Sequence, residues 1–508
     1  MNPLNASNRR NFLRQTAMAT AAGVPALAGL EGLGAVSAAE SQLPAGSVRF
    51  NDDVEPLIRL IEETPRQRVI EEVADRVRKG NVQYRQLLAA LLLAGIRNVQ
   101  PRPSVGHKFH AVLVVHSAHL ASLSSPDVDR WLPLFWALDN FKSAQARDTR
   151  ENNWTMSEVD EAAVPASHLA IPRLREALGN WDEAAADVAV VSLCRGQSAG
   201  TAFDLLAEFA PRDFRSIGHK AIYLANGYRT LQTIGWEHAE PVLRSVVYAM
   251  LNHQGEPNPA KSDLVADRDS RINRPRAAEL KANWYEGKID DGATLELLTA
   301  LREVSPDDAS RLVAEQLNRG VAPQSIYDAM FASAAELTMR QPAIVPLHAM
   351  TTTNAMHYTY QMGTQDLNRR FLLLQNASFL ARFRDAATGR GKLADLQIDR
   401  LKVSEDTPAS DLTEIFTTLR KDKTQAAEQA LQFLQSGRPA TDLVTHARRL
   451  IFQKGRDSHD YKYSSAVLED YQTISPAWRD RFLAASLFKM RTESESTNGL
   501  IERIREVV

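Results

Sequence analysis

The residues of this 508-residue chain best suited to chemistry are its histidines. Four of the twelve fall in one stretch, Val105-Gly106-His107-Lys108-Phe109-His110, continued by Ala111-Val112-Leu113-Val114-Val115-His116-Ser117-Ala118-His119. Three later windows repeat the theme of a histidine near the start of an apolar segment. They are Gly218-His219-Lys220-Ala221-Ile222, Pro346-Leu347-His348-Ala349-Met350-Thr351 leading on to His357, and Asp457-Ser458-His459-Asp460-Tyr461-Lys462. Neutral imidazole is the commonest protein ligand for Zn, Fe, Cu and Ni, so a buried helix carrying imidazoles on its inner face is a metal platform. At about 100° per residue, His107 and His110 share a face, with His116 and His119 on roughly the opposite one. The competing reading of each window is structural, with histidines that cap, hydrogen-bond or face solvent.

Lys462 lies three residues after His459 and so shares its helix face. An ammonium cannot ligate a metal. Burial beside a cation disfavours the charged form through desolvation and like-charge repulsion together. The neutral amine can take up carbon dioxide and become an anionic carbamate with oxygen donors. The alternative is a surface lysine paired with Asp457 or Glu469. Asp457 is also placed to orient a ligating imidazole through its second nitrogen.

In order and spacing, these windows resemble the questin oxidase-like family. The resemblance implies a helical protein binding one non-haem iron through four histidines and, in the members that define the site, a carbamylated lysine. It assigns His107 as the first ligand, His219 as the second, His348 (followed by Thr351) as the third, and His459 with Lys462 in Asp457-x-His459-x-x-Lys462 as the last. His110 and His357 are alternative ligands in the first and third windows. The resemblance covers four short windows in order.

The elements that must position these residues read as helices from Asp53 onward. Val69, Ile70, Val73 and Val77 follow Thr64-Pro65 at helical spacing, and Leu87, Leu88, Leu91, Leu92 and Ile96 repeat the pattern. Ser125-Pro126-Asp127, Ser305-Pro306-Asp307, Thr407-Pro408 and Ser475-Pro476 are start signals, with proline at the first helical position. Alternating strand patterns and hairpin turns are missing. The expected fold is all-α: one large multi-helical domain over 40–508, either a helical barrel or a HEAT-like array, with no sequence repeat to choose between them. The polar stretch 254–276 is a candidate internal linker, and Arg147 to Asn153 reads as a loop.

Composition narrows the function classes. A net charge of -2 gives no electrostatic case for nucleic acid or an anionic membrane. One cysteine, Cys194, excludes an internal disulfide framework and Cys-rich metal sites, and its apolar setting reads as a small buried hydrophobe. No phosphate-binding glycine loop, nucleophile elbow or His-Glu-x-x-His is present. His446 reads as a polar-face residue and Trp236-Glu237-His238 as a turn. Tyr223, Tyr228, Tyr358, Tyr360 and Tyr461 fall near the candidate ligands, as core or as a pocket for an aromatic substrate.

The N-terminus carries Asn8-Arg9-Arg10-Asn11-Phe12-Leu13-Arg14, then a mild apolar run from Met18 to Leu30 and the small residues Val36-Ser37-Ala38-Ala39. This is the pattern of a cleaved twin-arginine signal over 1–39, too short for a membrane span. It predicts the twin-arginine export machinery as a partner and an extracytoplasmic, periplasmic or equivalent, location. The expected function is an exported metal-dependent, iron-containing oxidoreductase acting on a small organic or aromatic substrate. The alternatives are a non-catalytic helical-repeat binding or scaffolding protein, and a zinc hydrolase on the same ligands.

Overall fold

The computed structural model describes residues 54–101, 107–251, 256–403 and 410–507, with the backbone alone at His107. The expected signal segment 1–39 and the Thr407-Pro408 start signal lie outside these residues. Among the described residues the chain is all-helical, with 22 α-helices and only an isolated parallel bridge between Lys288 and Val321. They form one multi-helical domain. No helix among them is long and apolar enough to cross a membrane.

Local signals act as their chemistry dictates. Ser305 caps helix Pro306–Asn318 by accepting from the Asp308 amide at 3.1 Å, with Pro306 at the first position. Pro65 does not start a helix directly: its carbonyl accepts from the Arg68 and Val69 amides, and the helix runs Val69–Arg78. The loop expected at Arg147 to Asn153 is instead mostly the end of helix Leu132–Glu151. Its charges are used there, Arg147 bonding Glu151 one turn on at 2.7 Å and buried Asp148 receiving Lys108 at 2.6 Å. The stretch read as a linker runs from residue 268 into helix Arg268–Ala278. Buried Asn273 donates to Gln375 and Ser378, and Asp269 pairs with Arg382, so these polar side chains attach it to helix Asp366–Thr388.

Four helices stand at the centre: α1 (His110–Leu123), α2 (His219–Ile234), α3 (Ile344–Met362) and α4 (Ser458–Asp470). α1 packs on α2, α2 on α3, α3 on α4, and α4 back on α1, closing a ring. Other helices cover its outside, including Tyr84–Asn98 and Leu132–Glu151 against α1 and Pro323–Arg340 and Asp366–Thr388 against α3. A HEAT-like array would keep the chain ends apart. Here Arg503 near the C-terminus bonds Glu71 at 2.7 Å, and the body closes on itself.

The central helices are buried all round, with 12 of the 13 residues of α4 inside. Such helices are ordinarily apolar. These carry His110, His116, His219, Asn226, Arg229, His348, Asn354, His459 and Lys462 inward, all buried. Polar side chains at that depth need partners, and finding them leads to the site.

Candidate metal centre

Each of the four central helices brings one histidine into one cluster, in which ligand atoms of His110, His348 and His459 lie together and His219 lies against His110 and His348. His110 and His219 are the first residues of α1 and α2, His459 is the second of α4, and His348 is the fifth of α3. His219 Nε2 lies 3.1 Å from His110 Nε2 and 2.9 Å from His348 Nε2. The His110 and His459 rings are 4.6 Å apart between centroids, and one ligand atom from each of His110, His348 and His459 falls within 4.8 Å of the others. Residues spread over some 350 positions of the chain thus share one buried space.

The second nitrogen of three rings is held from behind. His219 Nδ1 meets the Ser216 carbonyl and His348 Nδ1 the Ile344 carbonyl, both at 2.7 Å. A carbonyl only accepts, so both Nδ1 atoms carry the proton and donate it. In the neutral rings both Nε2 atoms are therefore bare lone pairs, facing each other at 2.9 Å. Protonating one would relieve the repulsion. Burial, reinforced by Lys462 and the neighbouring imidazoles, instead holds His110, His219 and His348 well below the ordinary histidine range. His459 Nδ1 lies 3.3 Å from Asp457 Oδ1, and Asp457 also caps α4 by accepting from the His459 amide at 2.7 Å.

Lys462 sits one turn further along α4, 2 % exposed, and its Nζ has no hydrogen-bond partner. Burial pushes it down to about 7, opposed by attraction to Asp457. The surface-lysine reading therefore fails, and Glu469 is taken by Arg229 at 2.6 Å.

Of the residues picked from the sequence, the fold brings together His219, His348 and His459, with Lys462 and Asp457 adjacent. In the first window His110, the alternative to His107, joins them. His107 lies in the 3-10 turn His107–Phe109 ahead of α1, and its side chain is outside the described residues. His357 is not in the cluster: it packs edge-on against Tyr327 and Phe331 at 4.4 and 5.0 Å. Nine positions beyond His348 on α3, it points a different way. His119 bonds the Tyr84 hydroxyl at 2.9 Å, and His446 bonds Glu493 at 2.6 Å on a separate helix. Cys194 is partly buried, its thiol pushed up to about 12 by burial.

The backbone leading into His219 is constrained. Ile217 and Gly218 both have positive φ, 43° and 82°. A side chain at Gly218 would collide with the buried Thr352 hydroxyl of α3, so glycine lets α2 start close against its neighbour. Gly218→Ala is expected to cost about 2–4 kcal/mol through left-handed strain and overpacking. Urea unfolding checks this, and an unchanged midpoint would show that the contact yields.

No protein-family model, curated protein or solved structure matches the chain.

Proposed function

We propose that this chain is a mononuclear, non-haem metal-dependent oxidoreductase of the oxygenase type, with iron held by His110, His219, His348 and His459. One observation carries the reading: two imidazoles whose outer nitrogens donate to carbonyls turn bare lone pairs on each other at 2.9 Å. In a buried space that resists protonation, a Lewis acid is the partner that stabilises this arrangement.

The spacing also bears on which ion suits the donors. With metal–nitrogen bonds of about 2.0–2.1 Å, ligands at right angles put their nitrogens about 3.0 Å apart, against about 3.4 Å for a tetrahedron. The separations of 2.9 and 3.1 Å favour the first. Four nitrogens with Lys462 beside them also exceed a tetrahedral set. Both points favour a five- or six-coordinate ion over tetrahedral zinc, and so an oxygenase over a zinc hydrolase. Iron in such a site supplies dioxygen reduction, which no side chain here performs alone. The Ser216 and Ile344 carbonyls and Asp457 fix the tautomer and aim of their imidazoles. As a neutral amine, Lys462 can add carbon dioxide with loss of one proton, giving an anionic oxygen donor to offset the cation's charge.

Metal analysis of protein purified without chelator is expected to find close to one equivalent of a single transition metal, iron foremost. Less than about a tenth of an equivalent of any such metal would overturn the reading, since a preformed buried site binds its ion tightly. Oxygen uptake by the iron-loaded protein with an aromatic substrate separates an oxygenase from a hydrolase. The Arg9-Arg10 motif and the small residues before position 40 support export of the folded protein, which N-terminal sequencing of the mature chain checks.

A further inference from the structure

The His219 ring is aimed by the turn that leads into α2, residues 213–220. The Ser216 carbonyl accepts twice from His219, from its backbone amide at 3.0 Å and from Nδ1 at 2.7 Å. Between these two residues the chain passes through Ile217 and Gly218, both at positive φ. Left-handed backbone suits glycine and strains a β-branched side chain. A residue held in that region persists only where its surroundings over-determine it.

Those surroundings are two ion pairs and two backbone contacts. Lys220 Nζ donates to both carboxylate oxygens of Asp213, at 2.9 and 2.7 Å, and the two residues are only 2 % and 3 % exposed. The same carboxylate accepts from the Arg215 amide at 3.3 Å. Arg215 Nε donates to Asp267 at 2.8 Å, and the Phe214 amide donates to the Ala266 carbonyl at 2.8 Å. Both contacts fix the turn to the segment just ahead of helix Arg268–Ala278. Because Lys220 directly follows His219, its bond to Asp213 spans Ser216, Ile217 and Gly218 and closes the strained stretch on itself.

A buried ion pair is a weak source of stability. Both charges lose their hydration, and apolar residues of similar volume often serve a fold as well or better. What this pair supplies is position. Two short bonds across the turn fix where the Ser216 carbonyl stands relative to the His219 ring. Without them Ile217 is free to relax to negative φ and carry the carbonyl away from Nδ1. The ring proton could then move to Nε2, the nitrogen that faces His110 and His348, where it would block a lone pair the cluster needs. We infer that Asp213 and Lys220 are positioning residues for His219, a buried clamp that holds the preceding turn strained so that a bare Nε2 faces the histidine cluster.

The clamp's part in metal binding rests on reading the cluster as a metal centre, whereas its hold on the imidazole does not. The test replaces the pair in the full chain by apolar residues, Asp213→Leu with Lys220→Met, so that neither charge is left buried alone. Lys220→Met by itself, which keeps the Asp213 bond to the Arg215 amide, serves if the double variant does not fold. Nitrogen NMR of ¹⁵N-histidine-labelled, metal-stripped protein reads which ring nitrogen carries the proton. The parent is expected to hold it on His219 Nδ1, and the variant to place part or all of it on Nε2. Titration with ferrous ion should show binding weakened by about 10–100-fold, as for loss of a group that orients a ligand. The distant pair Asp269 and Arg382, replaced by Leu and Met, should change neither readout. An unchanged His219 tautomer in the clamp variant, or the same shift in the distant pair, would overturn the inference. A shifted tautomer with no iron bound by parent or variant would instead remove the metal reading and keep the clamp.

Discussion

Replacing His348 with alanine is expected to strip the purified protein of more than about nine-tenths of its bound metal, the effect of deleting a ligand from a preformed buried site. His348 sits at the middle of the cluster, with its Nε2 2.9 Å from that of His219 and its ring 5.4 Å from that of His459 between centroids. His219→Ala and His110→Ala should act alike. His446→Ala should leave the content unchanged, because that ring is occupied by Glu493 and stacked on Phe416. His107→Ala is the informative companion. Four other histidines already converge, so it should keep its metal, and loss comparable with His110→Ala would move the first ligand back to His107. Equal effects from His348→Ala and His446→Ala would end the ligand assignment.

Lowering the pH of metal-stripped protein from about 7 to about 5.5 is expected to remove on the order of 5 kcal/mol of stability, a large part of what a typical domain has. Burial, the leading cause in each case, depresses His110, His116, His119, His219, His348 and His357. His119 falls to about 4 and His357 to about 3. A histidine with a folded pKa below its unfolded value of about 6.5 stays neutral in the fold while the unfolded chain takes up a proton. Stability is therefore whole above the unfolded value and falls as the pH drops towards the folded one, by up to about 1.4 kcal/mol per unit per group. The buried carboxyl of Asp470, raised by burial, runs the other way and offsets one of the six. Urea unfolding at the two pH values checks this. A flat profile would mean that these imidazoles are not buried neutral, and the metal reading would lose its electrostatic basis.

The helical architecture was legible in the chain. Apolar spacing, proline at first helical positions and the lack of alternation all follow from local periodicity, and the structure agrees. Legibility failed where a polar run could be either loop or buried helix. Arg147 to Asn153 and residues 268–276 look solvated until Lys108 and Arg382 are seen to pair with Asp148 and Asp269. Those partners lie 40 and 113 positions away, beyond any local pattern.

Three of the four converging histidines could be picked out by placement at the start of an apolar helix, because a side chain there reaches past the helix end. Choosing between His107 and His110 was another matter. Both occupy the same window, and three residues of helix bring them to the same face. Helix α1 begins at His110 and brings that ring to the cluster, while the side chain of His107 lies outside the described residues. Residue identity and periodicity determine which groups a helix carries. Which of them end up facing one another depends on long-range packing between helices a hundred residues apart, and only the folded chain expresses it.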